Sequence, residues 1–128
     1  MAIAIYCTAM SDTPLTPDQQ AEATAIAGRF SKDRSIEDYL ASGEGLNWSS
    51  FDLDVNATYD AVHDKYTVLS GSSTLPDNTD EATWIGVQHW CLCLSQLRNA
   101  LPACEWRVAV EDHVIEWDVA LSAYDPGR

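Results

Sequence analysis

Between Phe51 and Ala61 apolar side chains occupy every second position, with Asp52, Asp54, Asn56, Thr58 and Asp60 between them. A period of two predicts one strand with a buried and a solvated face. His63-Asp64-Lys65 reads as a turn, and Tyr66-Thr67-Val68-Leu69-Ser70 as the hairpin partner. A different period begins at Thr16. Thr16 can cap a helix, Pro17 suits its first position, Asp18 complements the dipole and Gln19 completes a capping box. Ala23, Ile26, Ala27 and Phe30 then share one helical face. Ahead of this helix, the apolar run 2–9, bounded by Ser11-Asp12-Thr13-Pro14, has the profile of a buried strand.

Residues 31–50 follow neither period. Ser42-Gly43-Glu44-Gly45 marks a loop after a short helical extension through Ile36, Tyr39 and Leu40. Gly71 to Thr79 is rich in Ser, Gly, Pro and Asp and reads as a second loop. Asn78, with Glu81 three residues on, starts the main helix, which runs to about Leu101 before Pro102. Val87, Trp90, Cys91, Leu94, Leu97 and Leu101 form its core face. Trp84, Ile85, His89, Leu92 and Cys93 widen the apolar surface, so this helix is either nearly engulfed or offered in part to a partner. A closing hairpin pairs Trp106–Val110 with Ile115–Leu121 about a turn at Asp112-His113, and the residues from about 122 read as a tail.

The order β-α-β-β-α-β-β predicts an α+β domain spanning 1–128. The expected form is a ferredoxin-like two-layer sandwich, an antiparallel sheet of about five strands with two helices on one face. Its expected core is Ile3, Ile5, Phe51, Leu53, Val55, Val68, Trp90, Leu94, Trp106 and Val108.

Composition alters this picture in one respect. Twenty Asp and Glu against seven Lys and Arg give a formal net charge of −13. A small domain needs a net charge of only about 2–8 for solubility. The acids cluster: from Glu37 to Asp64 there are seven and no base, and from Glu105 to Asp125 six with Arg107 alone. Asp77, Asp80 and Glu81 add a group at the main helix start. Such a surface repels nucleic acid and anionic membrane and attracts basic partners. Arg29, Lys32 and Arg34 form the one basic cluster, diluted by Asp33, Glu37 and Asp38.

Candidate chemistry is sparse. The four cysteines, Cys7, Cys91, Cys93 and Cys104, lack zinc-knuckle spacing and read as reduced structural thiols. No basic n-region precedes Arg29 and no apolar run has membrane-spanning length, so a cytoplasmic protein is expected. There is no phosphate loop, nucleophile elbow or zinc-protease motif, and no cofactor is expected. His63 and His113 fall at turns beside Asp, and His89 lies on the main helix without a Ser or Cys nucleophile placed near it.

Two readings follow. The preferred one is a non-enzymatic, acidic bacterial immunity protein that inhibits a cognate toxin by occluding its basic cleft. Its expected contacts are Glu44, Trp48, Asp52, Asp54, Asp60 and Asp64, with Glu116, Trp117 and Asp118, as aromatic anchors in an acidic rim. A protein mimicking DNA is a special case of it. The alternative is a small dimeric ferredoxin-like enzyme or ligand-binding domain, with a divalent metal at Asp52 and Asp54 and with His63 and His113 as further candidates.

Overall fold

The computed structural model describes residues 3–127. Ala2, included in the first expected strand, and Arg128, at the end of the expected tail, lie outside the described residues. The elements are β1 (Ala4–Ser11), α1 (Pro17–Arg29), α2 (Asp33–Ser42), β2 (Asp52–Asp54), β3 (Thr58–Asp60), β4 (Lys65–Thr74), α3 (Ala82–Ala100), β5 (Glu105–Val110), β6 (His113–Val114), β7 (Glu116–Asp118) and β8 (Ala123–Asp125). An antiparallel sheet has the order β2-β4-β1-β5-β6, with β3 also paired to β4, and β7 and β8 form a separate ribbon. The fold is α+β, an antiparallel sheet with α1 and α3 packed together against it.

Alternation on β1 decides which side is buried. Ile5, Cys7 and Ala9 stand opposite Ser73, Gly71 and Leu69 on β4, and opposite Val110, Val108 and Trp106 on β5. These positions join Trp90, Leu94 and Leu97 of α3 and Ala23 and Ile26 of α1 in the core. Helix α1 begins as its sequence dictates. The Thr16 hydroxyl accepts from Gln19 N at 3.2 Å, and the Thr16 N–H donates to Gln19 Oε1 at 2.9 Å. Helix α2 has no buried residue, and Leu40 on it is 77% exposed.

The expected strand over 51–61 is two strands. β2 and β3 both pair with β4, but Asp54 stands opposite Ser70 while Thr58 stands opposite Thr67, so 55–57 carry one residue more than the facing segment. The partner explains the break. Val68 and Leu69 are both buried, and consecutive side chains of a pleated strand share a face only where it bulges. The register between β1 and β4 shifts at the same level, between Ala9 and Met10.

Further boundaries differ. β4 continues through Gly71 to Thr74, where a loop was expected, because these residues pair with Cys7 to Ala4 of β1. Asn78 does not cap α3: its amide donates to Gly45 O at 2.9 Å and its Oδ1 accepts from Asn47 N at 3.3 Å, tying the loop after α2 to the loop before α3. The closing hairpin is split. β5 pairs with β6 over two residues, and the chain then turns at the buried Ile115 into the β7–β8 ribbon. Residues 123–125, expected in a tail, form β8. Tyr124 is buried, and its N–H donates to the Ser95 hydroxyl at 2.9 Å.

Candidate functional site

The sheet face turned away from α1 and α3 carries the candidate site. Pairing arranges it in two rows that cross four strands. One runs Asp54, Ser70, Thr8, Arg107; the other Asp52, Ser72, Tyr6, Ala109. Strands lie ~4.8 Å apart, so the Arg107 backbone is ~14 Å from that of β2, and among the described residues no ion pair joins Arg107 to Asp52 or Asp54. The near end of each row is therefore negative and locally uncompensated. Hydroxyl side chains and the 44% exposed Tyr6 fill the middle, flooring a shallow depression of about 380 Å³.

Gly71 sets the position of β2. A Cβ there would lie 2.7 Å from Asp52 O and 2.8 Å from the Phe51 ring, so its absence lets β2 seat closely on β4. Asp52 makes no side-chain hydrogen bond or ion pair among the described residues, and Asp54 accepts from Asn56 Nδ2 at 3.2 Å. Unengaged carboxylates beside hydroxyl groups can accept from guanidinium or ammonium donors.

The other expected contacts do not converge on this face. Asp60 ties the β3–β4 turn: it accepts from Val62 N at 2.9 Å and His63 N at 3.3 Å and meets His63 Nδ1 at 2.8 Å. The His63 hydrogen bond is the main cause holding its carboxyl below the usual range. Asp64 has a left-handed φ of 53° and accepts from the Tyr59 hydroxyl, which raises the pKa of that phenol. Lys65 bridges Glu105 at 2.7 Å and Asp12 at 3.8 Å, and the Glu105 bond holds its ammonium above the usual lysine range.

Glu44 is exposed in the loop after α2. Trp48 packs inward on the helix layer, edge-on to His89 at 5.2 Å and Trp90 at 6.2 Å, with Lys32 4.5 Å above its ring. Glu116, Trp117 and Asp118 lie on the β7–β8 ribbon, beyond the opposite sheet edge and against α3. Arg98 stacks 4.3 Å from the Trp117 ring, and Asp118 Oδ1 accepts from Leu121 N. The open face thus assembles Asp52 and Asp54 and separates them from the remaining candidates. The sequence pattern missed Ser70, Ser72, Thr8 and Tyr6. The signal for Ser70 and Ser72 was alternation around Gly71, which reads equally as a loop; Tyr6 and Thr8 alternate on β1 within a run read only as a buried strand.

Of the groups suited to covalent or acid–base chemistry, Cys7, Cys91 and Cys93 are buried and His89 is partly buried, whereas His63 and His113 are exposed. All four cysteines are free; burial pushes Cys7, Cys91 and Cys93 up to about 12, with Cys93 adding to the effect on Cys7. Such thiols are poor nucleophiles. The His89 ring meets Phe30 O through Nε2 at 2.7 Å, and burial lowers its pKa. Among the described residues no three His, Cys, Asp or Glu side chains gather as a metal site, so Asp52 and Asp54 have no third ligand of these types. No helix of the described residues is long and apolar enough to cross a membrane. Comparison with protein-family models, with curated proteins and with solved structures finds no match to this chain.

Proposed function

We propose that this chain is a non-enzymatic acidic binding protein that neutralises a basic partner, as a bacterial immunity protein does its toxin. The carrying observation is the pair of uncompensated carboxylates, Asp52 and Asp54, on the rigid open face of the sheet. Preset acceptors steer a basic partner and add short-range hydrogen bonds without ordering a loop. The main strands in the order β2-β4-β1-β5, with α1 and α3 on the crossovers, support reading the fold as ferredoxin-like. Four free cysteines suit the reducing environment of a cytoplasmic protein. The metal-dependent alternative is weakened by the missing third ligand.

The test is capture of partners from native lysate, then titration of the purified partner with wild-type protein and with Asp52→Asn/Asp54→Asn. The expected partner is basic, loses its activity in the complex, and binds the double variant at least about tenfold more weakly, with a shallower salt dependence. Glu22→Gln/Glu37→Gln removes the same charge from exposed positions on α1 and α2. Equal weakening in both pairs would reduce the effect to net charge and overturn the assignment of the open face.

A further inference from the structure

From Ala82 to Leu97, α3 carries no Asp, Glu, Lys or Arg, in a chain whose formal net charge is −13. Opposite its core face at Val87, Trp90 and Leu94 runs an exposed stripe of Trp84, Ile85, Gln88, Leu92 and Gln96. Trp84 is 47% exposed and Leu92 58%. Residues 123–127 flank the stripe and leave an open groove of about 380 Å³ against Trp84, Gln88 and Leu92. Asp125, the acid in this groove, already accepts from Gly127 N at 3.0 Å. Apolar exposure concentrated on one uncharged strip marks a contact surface.

Charge lies at the two ends of the stripe, with opposite sign. Asp80 and Glu81 precede its first turn, exposed and without a side-chain hydrogen bond or ion pair among the described residues. At the far end Arg29 Nη2 donates to Gln96 Oε1 at 3.5 Å, and the Arg98 guanidinium stacks 4.3 Å from the Trp117 ring. Neither arginine joins a carboxylate in an ion pair among the described residues. Trp84 and Leu92 stand four residues either side of Gln88, and Asp80 and Gln96 stand eight. The stripe therefore complements itself when reversed.

We propose that the outward face of α3 binds a second copy of this chain, with the two helices antiparallel about a two-fold axis at Gln88. Each copy supplies the same patch, as a two-fold contact requires. Leu92 of one copy meets Trp84 of the other beside its 123–127 groove. Asp80 meets Gln96 of the other copy and the Arg29 bound to it. A parallel pair would instead set acids against acids. The net charge of each copy opposes the approach. However, Asp52 and Asp54 lie behind the helix layer, at least one helix diameter (~10–12 Å) away and past the ~8 Å screening length of physiological salt. This surface does not overlap the acidic open face, and neither reading requires the other.

Sedimentation equilibrium of the full chain tests this. One helix face with a short flank is small beside stable interfaces, so a dissociation constant of about 10–100 µM is expected. Leu92→Glu puts a charge at an exposed position in the middle of the stripe and should weaken self-association at least about tenfold. Charge reversal tests the orientation. Asp80→Lys/Glu81→Lys and Arg29→Glu should each pair with themselves at least about tenfold more weakly, because like charges then meet at each end. Mixed in equal amounts, the two variants should form a heterodimer about as tight as the wild-type dimer, which also shows that both fold. Net charge alone predicts the reverse for the lysine variant, which is less negative than wild type and would pair more tightly. Three results would overturn the proposal: a wild type that keeps its 14.1 kDa monomer mass up to about 1 mM; a dimer unaffected by Leu92→Glu, which places the contact on another face; or charge variants that do not pair on mixing.

Discussion

Ser95 holds the C-terminal ribbon to the helix layer, and Ser95→Ala measures how firmly. Ser95 is 5% exposed; its hydroxyl donates to Cys91 O and accepts from Tyr124 N at 2.9 Å. Losing the bond to Cys91 costs little, because that carbonyl keeps its helical partner. Losing the acceptor for Tyr124 leaves a buried backbone donor unpaired, at about 1–3 kcal/mol. Alanine recovers about 0.5 kcal/mol of helix propensity. The net expectation is a destabilisation of about 1.5 kcal/mol, read as a lower urea midpoint and a Tm lower by about 5 °C for a domain of this size. Amide exchange locates the effect: the Tyr124 N–H should lose protection before the core of α3 does. If the ribbon detaches locally, water satisfies the donor; the global loss then shrinks while the exchange signal grows. An unchanged midpoint together with an unchanged Tyr124 exchange rate would refute the reasoning.

His89→Gln should flatten the acid limb of stability. Burial lowers the folded pKa of His89 below 6.5, and nearby Lys32 adds to this, so the unfolded chain binds the extra proton first as pH falls. Wild-type stability is therefore full above the unfolded pKa and declines as pH falls through 6.5 toward the folded value. Denaturation midpoints at a series of pH values from 7.5 to 5 should decline less in the variant, and parallel curves would contradict this. Gly71→Ala should destabilise by about 1–3 kcal/mol, since its Cβ would press on Asp52 O at 2.7 Å and force β2 off β4. Thermal unfolding checks the magnitude, and a change within about 0.5 kcal/mol would show that β2 moves away without strain.

Where local chemistry decided an element, its sequence was readable. The capping box at Thr16 and Gln19 is formed as written, and the core face of α3 at Val87, Trp90, Cys91, Leu94 and Leu97 is buried as its period requires. Breaks imposed by a neighbour were not readable. Nothing in 51–61 signals that the strand must divide, because the cause is the bulge at Val68 and Leu69 on its partner. Asn78 carries the signature of a cap, yet a contact across the chain with Gly45 takes its amide. Tyr124 looked like part of a tail because its anchor, Ser95, is an ordinary polar residue within a long helix. The placement of Asp52 and Asp54 followed from alternation alone.

The acidic composition separates into two kinds of carboxylate once hydrogen bonds are assigned. Asp60 and Asp118 accept backbone N–H groups at turns, Asp33 and Asp77 accept from Ser50 and Asn47, Glu105 meets Lys65, and Glu111 accepts from Ala4 N. These acids organise loops and strand ends, and a net charge of −13 is in part a by-product of that use. Asp52 makes no such contact and Asp54 only one, to Asn56. Side by side on one short strand, they repel one another and contribute nothing evident to folding. Acids that organise turns should lower stability when neutralised, whereas Asp52→Asn and Asp54→Asn should leave it equal or raised and weaken only association. Asp52 and Asp54 differ from other unengaged acids, such as Glu22, Glu37 and Glu44 on helix and loop surfaces, in standing together on one face of the sheet, and it is this placement that the paired variants test.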